Sequence, residues 1–134
     1  MIFVDSSFWI AQQLRTDRNN ATARRLQQDY ELATLVTSNA VIGETWTYLR
    51  RKSDHARAVA WLDRVRSIGC SVLQVDEQLE GEAWAWLRRH DERAYSYVDA
   101  TTFAIMRKLR IRDALAFDGD FTAAGFTELR PDVP

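Results

Sequence analysis

The chain has 134 residues, 18 Lys and Arg against 19 Asp and Glu, a formal net charge of -1 and a single cysteine. That length suits one domain over residues 1–134, burying roughly two thirds of its unfolded surface with no need of a disulfide or structural metal. No run approaches the about 18 apolar residues of a bilayer span, and the start lacks a basic segment leading into an apolar one, so a soluble, cytoplasmic protein with no membrane partner is expected.

The apolar, β-favouring run Met1 to Val4 stops at Asp5, and Ser6-Ser7 opens another apolar segment. This reads as a buried strand with a carboxylate at its end, then a helix from Ser7 to Leu14. The polar break Arg15 to Asn20 ends that helix, and Asn20 is a candidate cap for a second one through Tyr30, with Ala23, Leu26 and Tyr30 inward. Thr34 to Thr37 is the second strand. Ser38-Asn39 caps a helix from Ala40 to Arg51, with Val41, Thr45, Tyr48 and Leu49 on its apolar side and Glu44 beside them.

After the break at Lys52 to Asp54, Ala56 to Ile68 is helical, with Val59, Leu62, Val65 and Trp61 as its inward candidates. Gly69 ends it, and Val72 to Val75 is the third strand. Cys70, between Gly69 and that strand, reads as a packed thiol. Asp76 caps a helix reaching about His90, and a charged loop leads into the next helix, Ser96 to Leu109. Ala114 to Phe117 is a fourth strand, Asp118-Gly119-Asp120 a turn before one helical turn to Ala124, and Phe126 to Leu129 a last strand. The tail Arg130 to Pro134 is expected to fray. Strands alternating with helices, without hairpin dipeptides, predict an α/β fold with a mainly parallel five-stranded sheet and helices on both faces.

In such a sheet the carboxyl ends of the strands form the ligand-binding edge. Asp5 and Asp118 fall at strand ends there, Glu44 sits in the first turns of a helix leaving the same edge, and Asp99 opens the helix that runs back toward strand four. Each has an ordinary structural reading as well. Asp5 suits an N-cap, Glu44 a solvated helix acid, Asp99 the partner of Ser96 in a capping box, and Asp118-Gly119 a turn with Asp120 capping the short helix. Their joint placement favours function. Two carboxylates about 4 Å apart repel by roughly 4 kcal/mol at an effective dielectric near 20, so the cluster calls for a cation. With oxygen donors and no His or Cys nearby, that ion is Mg²⁺, or Mn²⁺ in its place, rather than Zn²⁺.

Other chemistries fit less well. Ser6 and Ser7 have no base within reach of their stretch, since His55 and His90 lie in a polar break and at a helix end, so Ser6 is cast instead as a hydrogen-bond donor to a ligating carboxylate or a phosphate. The scattered glycines make no nucleotide loop. An aspartyl-phosphate enzyme built on Asp5 would want a second acid two residues on, where Ser7 stands. Of the 18 cations only Lys52 and Lys108 are lysines, and the clusters at Arg50 to Lys52, Arg88 to His90 and Arg107 to Arg112 read either as solvated helix ends or as phosphate contacts. Trp61, Trp84 and Trp86 lie in amphipathic helices and go first to core or to a subunit interface, with base stacking the alternative.

The segments MIFVDSSFWIA, SNAVIGETWTYL, SYVDATTFAIMRK and ALAFDGDFTAAGF, in this order over nearly the whole chain, resemble the PIN-domain ribonucleases, particularly the VapC toxins of toxin-antitoxin modules. The resemblance implies an RNA-cleaving endoribonuclease that uses water activated by Mg²⁺ or Mn²⁺. It also implies a homodimer, and a small cognate antitoxin that blocks the acidic pocket. By position it assigns Asp5, Glu44, Asp99 and Asp118 as the catalytic and metal-binding acids and leaves Asp120 open as a further ligand. Thr102, one turn beyond Asp99, either lines the pocket or packs. The family pattern gives no account of Trp46, Trp84 and Trp86. The alternative function is a catalytically inert module of the same fold that docks a partner helix.

Overall fold

A computed structural model describes residues 1–132, so Val133 and Pro134 of the expected tail lie outside the described residues. Five short strands, β1 (Ile2–Val4), β2 (Leu35–Ser38), β3 (Ser71–Leu73), β4 (Asp113–Leu115) and β5 (Thr127–Glu128), pair in the order β3-β2-β1-β4-β5, every neighbouring pair parallel. The connections carry α1 (Ser6–Gln13), α2 (Asn20–Asp29), α3 (Asn39–Lys52), α4 (His55–Ser67), α5 (Glu77–Arg89), α6 (Tyr97–Leu109) and the short α7 (Asp120–Ala123). From β1 the sheet grows one way through β2 and β3. It returns through β4 and β5 on the other side of β1, so right-handed crossovers put the helices of the two halves on opposite faces. The reversal of direction lies between β1 and β4, and a cleft at their carboxyl ends is the physical outcome.

The core follows the expected apolar pattern in most elements. Phe3 and Val4 of β1, Leu115 of β4, Phe103 to Met106 of α6, and Leu26, Val41 and Leu49 are all buried. Trp61 turns inward with Ala58 and Val65, and its ring meets Trp9 edge-on at 6.0 Å. Val59, expected inside, is instead exposed, as is Tyr48. The buried stripe of α4 runs Ala58, Trp61, Val65, one position out of phase with the Val59-Leu62 reading, because the large indole decides which face seals the core.

Several boundaries move. Asn20 does not cap α2. Its amide Nδ2 donates to the carbonyls of Ala11 and Gln12, closing the end of α1, and Asn19 takes the N-cap position without a side-chain bond. β4 ends at Leu115, so Ala116 and Phe117 carry the chain beyond the sheet before Asp118. Arg130, placed in the frayed tail by sequence, is anchored: its guanidinium donates to Ala116 O at 2.7 Å and lies 4.8 Å over the Phe117 ring. Trp86, which the family pattern left without a role, is buried against Tyr95 and Phe103 and stacks on His90, while Trp84 is exposed and tilts against Tyr97. Trp46 meets the His55 ring edge-on. Cys70 is half-buried, and burial pushes its thiol up to about 11, as suits a packed thiol. No helix among the described residues is long and apolar enough to cross a membrane.

Candidate active site

Asp5 leaves β1 as the N-cap of α1, buried, with its Oδ2 accepting from Ser7 N at 3.2 Å and from Ser7 Oγ at 2.7 Å. Ser7 Oγ in turn accepts from the amide of Phe117 at 3.0 Å, so one hydroxyl fastens the end of β1 to the segment after β4. Glu44 is an exposed residue in the second turn of α3, and its Oε1 accepts from Ser6 Oγ. The donor role expected of Ser6 is therefore filled toward Glu44, and Ser7 fills the same role toward Asp5. Asp99 and Ser96 form the capping box, with Ser96 N donating to Asp99 Oδ2 at 3.1 Å and Asp99 N to Ser96 Oγ at 2.9 Å. Asp118 Oδ1 accepts from Asp120 N at 3.0 Å, and Asp120 Oδ1 from Arg93 Nε at 2.9 Å.

The ordinary structural readings of Asp5, Glu44 and Asp99 are present, whereas Asp120 does not cap α7: it is the first residue of that helix, and Gly119 takes the N-cap position with no side-chain bond. Among the described residues each of Asp5, Glu44, Asp99, Asp118 and Asp120 spends one carboxylate oxygen on a bond that orients it and leaves the other without a protein donor. Oxygens of Asp99, Asp118 and Asp120 lie within 4.8 Å of one another. Asp5 and Glu44 stand outside that closest group but act on it: the charges of Asp118 and Asp99 bear on Asp5, and that of Glu44 on Asp99. Burial first, and then Asp118, pushes Asp5 up to about 7. Desolvation leads again for Asp118, which keeps solvent contact, and with the charges of Asp99 and Asp120 it raises that carboxyl to about 6. Burial is also the main reason that Asp99 is raised. For Asp5, Asp99 and Asp118, burial first and neighbouring carboxylates second favour the protonated form.

The donor set fits a hard divalent ion. It offers carboxylate oxygens only, and the competing soft ligands are elsewhere, His90 on Trp86, His55 on Trp46 and Cys70 at the start of β3. Thr102, the other expected neighbour, is wholly buried and its hydroxyl has no partner among the described residues.

Three groups that support the site escaped the sequence reading. Ser7 is one. Glu128 of β5 is the second: its carboxylate accepts from Gly119 N at 3.2 Å and from Thr122 N and Oγ1 at 2.9 Å each, pinning the turn that carries Asp118 and Asp120. Gly119 holds a positive φ of 79° there, a backbone state that favours glycine. An acid in a strand reading Phe126 to Leu129 was the available signal. Three bonds to one carboxylate, each worth about 1 kcal/mol net, lead us to expect that Glu128→Ala lowers unfolding stability by about 2–3 kcal/mol in urea titrations. The third is Arg93.

The family model for the PIN domain matches residues 2–127. Two curated relatives, both the 23S rRNA-specific endonuclease VapC20 from strains of Mycobacterium tuberculosis, are 52% identical to this chain over 132 residues, covering 98% of it and 100% of the relative. The crystal structure of Mycobacterium tuberculosis VapC20, described as a Sarcin-Ricin loop cleaving toxin, superposes with a TM-score of 0.92 at 50% identity, covering 98% of this chain and 100% of that one.

Proposed function

This chain belongs to the PIN-domain family, and from that premise we propose that it is a Mg²⁺- or Mn²⁺-dependent endoribonuclease toxin that cuts 23S ribosomal RNA and is held in check by a small cognate antitoxin. The observation that carries the reading is the set of acids at the β1/β4 switch point, each with one oriented and one unclaimed oxygen. Full-length identity of 52% to an rRNA-specific endonuclease supports the substrate.

Asp99, Asp118 and Asp120, with Asp5 and Glu44 next to them, would hold the ion. When bound, it supplies Lewis acidity toward a phosphoryl oxygen and makes water a better nucleophile. The protein's own contribution is preorganisation. Ser7, Ser96 and Ser6 fix the carboxylates of Asp5, Asp99 and Glu44, and Glu128 fixes the last turn, so little reorganisation is needed when substrate arrives. Asp5, Asp99 and Asp118, raised chiefly by burial, would give up their protons on holding a cation. Homodimerisation, a single domain over the whole chain, and an antitoxin that covers the acidic cleft complete the reading. Incubating the purified protein with ribosomal RNA is expected to give discrete cuts in the 23S species with Mg²⁺ or Mn²⁺ and none with EDTA. Intact RNA in the presence of both metals would overturn it.

A further inference from the structure

The loop between α5 and α6 carries Arg93, and both of its ends are fastened. His90 stacks on Trp86 at 4.1 Å and pairs with Glu92 at 2.8 Å, while Tyr95 sends its amide to Arg93 O and its ring edge-on to Trp86 and Phe103. An exposed arginine is thereby held in one place. Its Nε donates to Asp120 Oδ1 at 2.9 Å and its Nη2 to the carbonyl of Asp118 at 3.4 Å. A Cβ on Gly119 would meet that same Nη2 at 3.5 Å, an ordinary van der Waals contact, so it is the positive φ of 79° and not the space that favours glycine in the turn.

A guanidinium has five N–H groups. Two are engaged here, and the side chain remains 41% exposed at the rim of the acids. Among the described residues it is the one cation paired with any of the five candidate ligands; Arg130 pairs with Glu128, and Arg25 and His90 with acids elsewhere. A clamp on the last turn is a weak reason for it to be there, because Glu128 and the Asp118 carboxylate already bond Gly119, Thr122 and Asp120. What the pit does lack is positive charge to meet an incoming phosphodiester, which five carboxylates repel.

We propose that Arg93 is a substrate-phosphate residue: tethered by Asp120, it presents its free N–H groups to a non-bridging oxygen of the RNA backbone beside the acidic cluster. This rests on the ribonuclease reading of the site. The fork geometry that matches phosphate also makes lysine a poor replacement.

The test is binding of a fluorescein-labelled RNA hairpin in EDTA, where cleavage plays no part, by anisotropy between 50 and 200 mM salt. Arg93→Ala and Arg93→Gln should each weaken binding about tenfold and flatten the plot of log affinity against log salt by about 0.7, one phosphate's worth on a single strand, with melting within about 3 °C of wild type. Gln keeps hydrogen bonding to Asp120 without the charge, so it separates a phosphate contact from a clamp. In Mg²⁺ the same variants should raise KM more than they lower kcat, and Arg93→Lys should recover only part of the loss. Wild-type affinity and salt slope in either neutral variant, or a wild-type protein that does not bind the hairpin, overturns the proposal. RNA that binds through Arg93 but is never cut in Mg²⁺ or Mn²⁺ would leave it standing and overturn the nuclease reading instead.

Discussion

Asp5→Asn is expected to lower RNA cleavage by about 10³-fold and at the same time to make the metal-free protein more stable. The first effect follows from removing a buried carboxylate next to the cluster, where the charge stabilisation lent by a bound ion is worth several kcal/mol and each 1.36 kcal/mol is a factor of ten. The second follows from burial. Asp5 is almost fully enclosed, and desolvation with the charge of Asp118 lifts its carboxyl from 3.8 to about 7. Ionising it above that pH in the empty site costs on the order of 4 kcal/mol, a load that asparagine does not carry. Asparagine can still accept from Ser7 N and Oγ through its amide oxygen, so the bridge from β1 to Phe117 survives. Thermal melts in EDTA at pH 8 should show Asp5→Asn above wild type by several degrees, and the gain should shrink as pH falls and vanish below about pH 3, where wild-type Asp5 is protonated in both states. A variant that melts below wild type at pH 8 while cutting RNA normally would mean that Asp5 is only a cap.

Divalent metal should offset part of the pH dependence of stability. An acid whose pKa is higher in the folded chain than in the unfolded one keeps its proton longer when folded, so its contribution to stability falls as pH rises between those values. Asp5, raised to about 7, and Asp118, raised to about 6, both act in this direction, and so does Asp99. The metal-free protein should therefore lose stability steadily from about pH 4 to pH 7 and level off above. Metal binding needs the ionised acids, so stabilisation by Mn²⁺ should be small at pH 5 and grow to about 2.7 kcal/mol at pH 8 with the ion at a hundred times its Kd. Melting temperature against pH, with and without Mn²⁺, measures both slopes. Parallel curves would remove the metal site, and would favour the inert module that docks a partner helix.

The strand-to-acid steps were legible because they are local. An apolar run halting at Asp5, and Ser96 three residues ahead of Asp99, announce a strand end and a helix start without any knowledge of the fold. The parallel sheet then follows from alternation, and with it the shared edge. Partners that meet only after folding were not legible. Ser7 reaches the amide of Phe117 across 110 positions, and Arg93 reaches Asp120 across 27, with no periodicity to connect them. Glu128 gave a signal, an acid inside an expected strand, but its partners Gly119 and Thr122 meet it only in the folded chain. In α4 the pattern was visible but its phase was not, since Val59 and Trp61 competed for one face and volume settled it. Asp120 was left open by sequence, and its place within 4.8 Å of Asp99 and Asp118 comes from the turn that Gly119 and Glu128 shape.

The central claim is that these acids gather to hold a hard divalent ion. Calorimetric titration of Mn²⁺ into metal-free wild type and Asp99→Asn at pH 7.5 tests it most directly. Saturable binding to wild type, at least tenfold weaker or lost in Asp99→Asn and displaced by excess Mg²⁺, is the expected result; no heat with wild type, or identical isotherms for the two proteins, would contradict it.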